Sequence, residues 1–120
     1  MSDKLETRNG ESVTIDSILD ALERVGAADD TLVVFTSDHG HFLGQHGLHY
    51  KGAFHYEDMI RVPMIVRWPG HVPAGAVSEA IQSLVDYAPT FLAAAGMRIP
   101  GVMTGVNQLE TWEGGQAVRA

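Results

Sequence analysis

The sequence predicts an α/β fold, and three features predict it. A helix-period stretch runs over residues 12–25, a continuous apolar run follows at 31–36, and a second strand-like run lies at 62–68. In the first, Ile15, Ile18, Leu19, Leu22 and Val25 recur at three- and four-residue steps, the pattern of a helix that buries one stripe. Gly26 is placed to stop it, and Asp29-Asp30 make a polar turn. Thr31-Leu32-Val33-Val34-Phe35-Thr36 is short, β-branched and apolar throughout. Such a run suits a strand covered on both faces. A helix followed by a buried strand is half of a βαβ unit.

Residues 37–52 read as a long Gly/His loop. In open α/β sheets ligands bind at the carboxyl ends of the strands, and this loop starts there. A short helix is expected over 54–60. In the strand at 62–68, Pro63 must stand at the start or on an edge, because it has no N–H for a ladder. Pro69-Gly70 and Pro73-Ala74-Gly75 are turn signals. Residues 87–95 read as a helix with Asp86 as its N-cap, Pro89 in the first turn and Gly96 at its end. Beyond Ile99-Pro100-Gly101 the pattern fades, and residues 105–120 hold Trp112 but no clear period. Residues 1–11 form a polar lead-in, frayed over 1–10, and 12–120 form one domain.

Composition narrows the function. The 120 residues suffice for one domain. With 45% apolar residues a core is within reach, and the net charge is −7. No Lys/Arg stripe is present, which argues against nucleic acid as a partner. No apolar run reaches the ~20 residues needed to cross a bilayer. Met1-Ser2-Asp3-Lys4-Leu5-Glu6 is polar and mixed in charge, unlike a secretory leader. Without Cys there is no disulfide to report a compartment, so a cytoplasmic location is the default expectation.

Five of the six histidines, His39, His41, His46, His49 and His55, fall in one stretch, interleaved with Gly40, Gly44, Gly47 and Gly52. Asp38-His39 directly follows the apolar run. A carboxylate and an imidazole at a strand end suit a divalent cation: oxygen ligands favour Ca²⁺ or Mg²⁺, and an imidazole admits Mn²⁺ or Zn²⁺. Equally, Asp38 can cap the turn with His39 as a plain loop residue. Lys51, beyond the glycines, can deliver a point charge to an anionic oxygen or simply be solvated. His46 and His49 are accessory candidates, as ligands or proton donors, against the commoner role of bonding loop backbone. Tyr56-Glu57-Asp58 would put carboxylates at a helix N-terminus.

Taken together, Thr36-Ser37-Asp38-His39-Gly40, Leu43-Gly44-Gln45-His46-Gly47-Leu48, Lys51, Tyr56-Glu57, Arg61-Val62-Pro63 and Trp68-Pro69-Gly70 resemble the sulfatase family of the alkaline phosphatase superfamily. Leu84-Val85-Asp86-Tyr87-Ala88-Pro89-Thr90-Phe91-Leu92 with Ala95-Gly96 resembles that family's Asp-x-x-Pro-Thr helix. Ile15-Asp16 and Leu19-Asp20-Ala21-Leu22 resemble the helix before its metal-binding strand. The likeness covers about residues 12–110. It implies a partial alkaline-phosphatase-like sheet flanked by helices. It implies Asp38 and His39 as the second pair of ligands to a divalent ion (Ca, Mg or Mn), and Lys51 as a group that binds sulfate oxygens. Many sulfatases carry Asn where His39 stands; the His is similar to other sulfatases and to phosphonate monoester hydrolases.

Sulfatases make a formylglycine nucleophile from Cys/Ser-x-Pro-x-Arg. The sequence has no Cys, and Pro63, Pro69, Pro73, Pro89 and Pro100 all lack the flanking Ser and Arg. The family's N-terminal Asp pair has no counterpart either. The expectation is therefore the C-terminal portion of a sulfatase-type catalytic domain, inactive alone, with an incomplete metal site and no formylglycine. Its parent substrate would be a sulfate ester, or a phosphonate or phosphodiester on the same scaffold. Two readings of other classes stand beside it. One is a non-catalytic domain that forms homo-oligomers through surfaces left uncovered. The other is a His-rich metal-binding module.

Overall fold

The computed structural model describes residues 5–6 and 12–119. Two short strands, β1 (Leu5–Glu6) and β2 (Ser12–Val13), pair antiparallel, Leu5 opposite Val13. Part of the expected frayed lead-in is thus ordered backbone; the remainder of 1–10 lies outside the described residues.

Helix α1 (Ile15–Arg24) begins at Ile15 and not at Ser12, because Thr14 caps it. The Thr14 hydroxyl accepts from the Ser17 amide at 3.1 Å, and the Ser17 hydroxyl oxygen accepts from the Thr14 amide at 3.0 Å. That is a reciprocal capping box with Ser in the usual Glu position. At the other end Gly26 takes φ +70. Its amide donates to the Glu23 carbonyl, and that of Ala27 to Leu22, at 3.0 and 2.9 Å. This is a Schellman stop, which needs a left-handed residue.

Strand β3 (Val33–Thr36) follows, and β6 (Met64–Arg67) lies beside it in antiparallel register, Val33 opposite Arg67 and Thr36 opposite Met64. The βαβ expectation is corrected here. The chain returns from β3 through the loop and short elements of 37–63, so it re-enters the sheet running the other way. Nor is β3 buried on both faces: all four residues are half-buried. The apolar stripe of α1 is also only partly covered, with Ile15 and Ile18 exposed. A groove of about 620 Å³ runs along this face, lined by Val13, Ile15, Ile18, Val34, Val62 and Pro63 among others.

Between these strands lie the hairpin of β4 (Phe42–Leu43) and β5 (His49–Tyr50) and the single-turn helix α2 (Glu57–Ile60). Phe42 and Met59 are buried there.

The remainder is organised around a charge. Helix α3 (Tyr87–Ala94) is entered from a 3₁₀ turn, Leu84–Asp86, and ends in a second Schellman stop at Gly96. Asp86 occupies the N-cap position of α3, but its carboxylate turns away from the helix. It is fully buried. Oδ2 accepts from the Ser83 amide, Gln108 Nε2 and Arg119 Nε at 3.2, 3.0 and 2.7 Å. Oδ1 accepts from the Val106 amide and Arg119 Nη2 at 2.9 and 2.7 Å. Buried Thr90 donates to the Asp86 carbonyl and accepts from the Gln108 amide. The patternless tail therefore folds: α4 (Leu109–Trp112) packs on α3, Trp112 is buried, and its Nε1 donates to Gln82 Oε1 at 3.1 Å.

The Arg119 guanidinium, and after it the Val106 amide, Gln108 and the Ser83 amide, hold the Asp86 carboxyl well below the usual carboxylate range against the opposing effect of burial. A depressed folded-state value means the stabilisation is complete above the unfolded value, about 3.9. It is lost as pH falls, because the unfolded chain takes up a proton that the folded state refuses. Asp86→Ala should cost about 3–5 kcal/mol of unfolding free energy at neutral pH, as for other broken buried pairs. Urea midpoints at pH 7 and pH 3 check both points: the gap between wild type and variant should narrow at pH 3.

Candidate functional site

The loop that leaves β3 is tied down residue by residue. The Ser37 hydroxyl donates to the His39 carbonyl at 2.8 Å, and the His39 amide donates to Asp38 Oδ1 at 2.9 Å. One Asp38 oxygen thus serves the turn. The other, Oδ2, lies 3.5 Å from His39 Nε2, with the Asp38 side chain 84% exposed and His39 35%. On the far side of the ring, Nδ1 is 2.6 Å from the Gly40 carbonyl. A carbonyl only accepts, so Nδ1 carries a proton, and in the neutral imidazole the lone pair then lies on Nε2. Lys51 Nζ donates toward that lone pair at 3.3 Å. The structure therefore brings Asp38, His39 and Lys51 to one place at the carboxyl end of β3.

Gly40 makes the loop possible. Its amide donates to the Met59 carbonyl at 2.8 Å, and a Cβ at this position would run into the Asp58 carbonyl. Only a residue without a side chain lets the loop approach α2 this closely.

The accessory histidines lie elsewhere. His46 stacks on Tyr56, ring centroids 4.0 Å apart and planes at 11°, and its Nε2 is 3.3 Å from Asp58 Oδ2. His49 stands exposed on β5, opposite Leu43. His41 meets Tyr50 edge-on at 5.9 Å. Glu57 pairs with Arg61 one helical turn on, at 3.3 Å and well exposed, a contact of small energetic weight. Tyr56 and Asp58 were visible in the sequence as a helix start, but nothing local marks them as partners of His46. The Asp86–Arg119 pair was equally hidden, since its halves lie 33 residues apart.

Among the described residues no three His, Asp or Glu side chains gather round a common point. The donors that Asp38 and His39 present, one carboxylate oxygen and one imidazole nitrogen on the same side of the loop, fit part of a coordination shell for a hard or borderline divalent ion. The bond from Nδ1 to the Gly40 carbonyl is the kind of outer contact that fixes the tautomer of a metal-binding imidazole.

The sulfatase family model matches residues 13–97. N-acetylglucosamine-6-O-sulfatase from Bacteroides thetaiotaomicron is 43% identical over 107 residues, which are 89% of this chain and 19% of that protein. The extracellular sulfatase SULF-1 homolog of Drosophila melanogaster is 38% identical over 105 residues, 88% of this chain and 9% of the relative. Among solved structures, BT4656 in complex with its substrate D-glucosamine-2-N,6-O-disulfate superposes with a TM-score of 0.80 at 39% identity, over 88% of this chain and 22% of that one. The phosphonate monoester hydrolase of Silicibacter pomeroyi gives 0.77 at 32%, over 87% and 20%. The chain thus spans about a fifth or less of the length of these relatives, and its sheet and helices are part of their α/β fold. With its matched residues holding the Asp38, His39 and Lys51 cluster, the chain belongs to the sulfatase family.

Proposed function

We propose that residues 12–120 are the C-terminal portion of a metal-dependent sulfuric ester hydrolase domain and form one wall of its active site. The observation that carries this reading is the convergence of Asp38, His39 and Lys51, with contacts of 3.5 and 3.3 Å around His39 Nε2. Asp38 Oδ2 and His39 Nε2 would hold a divalent ion (Ca, Mg or Mn), and the other ligands would come from residues beyond these. A cation bound there supplies Lewis-acid stabilisation of charge on the ester oxygens. Lys51 donates hydrogen bonds to the same oxygens as negative charge builds. The Gly40 carbonyl holds the imidazole in place while Lys51 changes partner from His39 to the ester.

The relatives support a substrate class. One acts by name on N-acetylglucosamine 6-O-sulfate and another structure holds a disulfated glucosamine, which supports a sulfated amino sugar here. The likeness to phosphonate monoester hydrolases supports a phosphonate ester as the second reading. The apolar groove beside α1 and β3, with Ile15 and Ile18 exposed, supports association of the isolated chain through that face. At roughly 25 cal/mol per Å² of buried apolar surface, modest contact suffices.

Three outcomes follow. Mn²⁺ titrated into the chain should broaden the His39 imidazole resonances. Asp38→Ala should weaken that binding by at least the ~10–100-fold seen on loss of an outer-shell partner; equal binding by wild type and variant would remove the metal assignment. The purified chain should not turn over an aryl sulfate, since it lacks a nucleophile motif; turnover that disappears in Lys51→Ala would refute this. Light scattering at micromolar concentration should give a mass above the monomer, reduced by Ile18→Asp.

A further inference from the structure

The hairpin that delivers Lys51 is too small to hold itself. Its two strands contribute two residue pairs, Phe42 opposite Tyr50 and Leu43 opposite His49, and an isolated two-stranded hairpin is marginal even when longer. Its position must come from anchors outside the ladder. One anchor is at the base, where the Gly40 amide bonds the Met59 carbonyl of α2. A second is Phe42 of β4, which is buried against Tyr56, and a third is a side chain at the tip. His46 sits in a left-handed conformation, φ 55, between Gly44 and Gly47, which are also at positive φ. That geometry is uncommon for a residue with a side chain, and it turns the imidazole back onto α2. There the ring stacks on Tyr56, meets the buried Phe42 edge-on at 6.3 Å, and reaches Asp58 Oδ2. Stacked and edge-on contacts of this kind favour fixed ring orientations.

We propose that His46 is a positioning residue: clamped between Tyr56 and Asp58, it locks the β4–β5 hairpin onto α2 and so holds Lys51 against His39. Base and tip anchors land on α2 and its N-cap residue Tyr56, so one short element holds both ends of the hairpin, and Lys51 directly follows β5 at the hairpin's open end. Without the tip anchor the hairpin is held at its base and by Phe42 alone, and Lys51 loses its fixed distance to His39 Nε2. The clamp itself stands on contacts between these residues; only its consequence for anion binding rests on the reading of Lys51 as a sulfate-binding group.

The test uses the ¹⁵N-labelled chain. His46→Gly removes the ring while suiting the left-handed backbone, so the side-chain loss is read without added strain. In sulfate-free buffer the His39 Nε2 resonance should shift as the Lys51 contact is lost. The Kd for sodium sulfate should rise on the order of tenfold, within the range that an ångström-scale misplacement produces. His46→Gln, whose amide nitrogen can take the place of Nε2 toward Asp58, should recover part of both effects. Should the Gly variant unfold, Asp58→Ala carries the same test and should shift the same resonance. A variant that melts earlier yet leaves the His39 resonance and the sulfate affinity unchanged would overturn the proposal, for His46 would then be merely structural. If the wild-type chain shows no sulfate affinity, the reading of Lys51 fails, and the His39 resonance in sulfate-free buffer still decides the clamp.

Discussion

Taking a carboxylate out of water is tolerable only when its oxygens find donors, and Asp86 finds five: the amides of Ser83 and Val106, Gln108 Nε2 and two nitrogens of Arg119. The bidentate geometry at 2.7 Å on both oxygens is the strong form of the pair. Around it the polar groups satisfy one another: Thr90 links the Asp86 carbonyl to the Gln108 amide, and Thr111 donates to Gln108 Oε1. Few large apolar side chains are buried; Phe42, Met59 and Trp112 are the buried hydrophobic residues among those described. In such a chain a satisfied polar network supplies the fixed geometry that a larger apolar core would otherwise give.

The two halves of the molecule rely on different physics. The N-terminal half presents surface that wants cover: α1 buries none of its residues fully, and β3 is half-covered. The site loop between them is nevertheless well determined. Ser37, Asp38, His39 and Gly40 each spend a polar group on holding the turn. The groups left over, Asp38 Oδ2 and His39 Nε2, face outward together with Lys51. A site made this way has its directions fixed by backbone bonds of its own loop. It can accept ligands from elsewhere without rebuilding itself.

What was legible in the sequence was local. The α1 stripe, the stop at Gly26, the apolar run of β3 and the stop at Gly96 each depend on residues within one or two turns, and each is present. Asp38, His39 and Lys51 were singled out together by the resemblance to the sulfatase family, and the residues alone left plain loop roles open; the structure brings the three side chains to one place. What failed depended on distant partners. The pairing direction of β3 is set by how the chain returns from residue 63, which no window around β3 contains. Asp86 stood where a helix cap belongs, and four of its five donors lie 20 to 33 residues further on. The tail showed no period because what fixes it is a set of side-chain bonds from Gln108, Thr111 and Arg119, and not a buried stripe.

The separation of Asp86 from Arg119 also ties together two distant stretches of chain. Until residue 119 is in place, the Asp86 carboxylate lacks the two donors that hold it at 2.7 Å. Closing a loop of this length costs little more entropy than closing one half as long. Residues 83–97 and 106–119 are therefore coupled through one carboxylate: whatever removes the Arg119 guanidinium leaves Asp86 buried without its strongest partner.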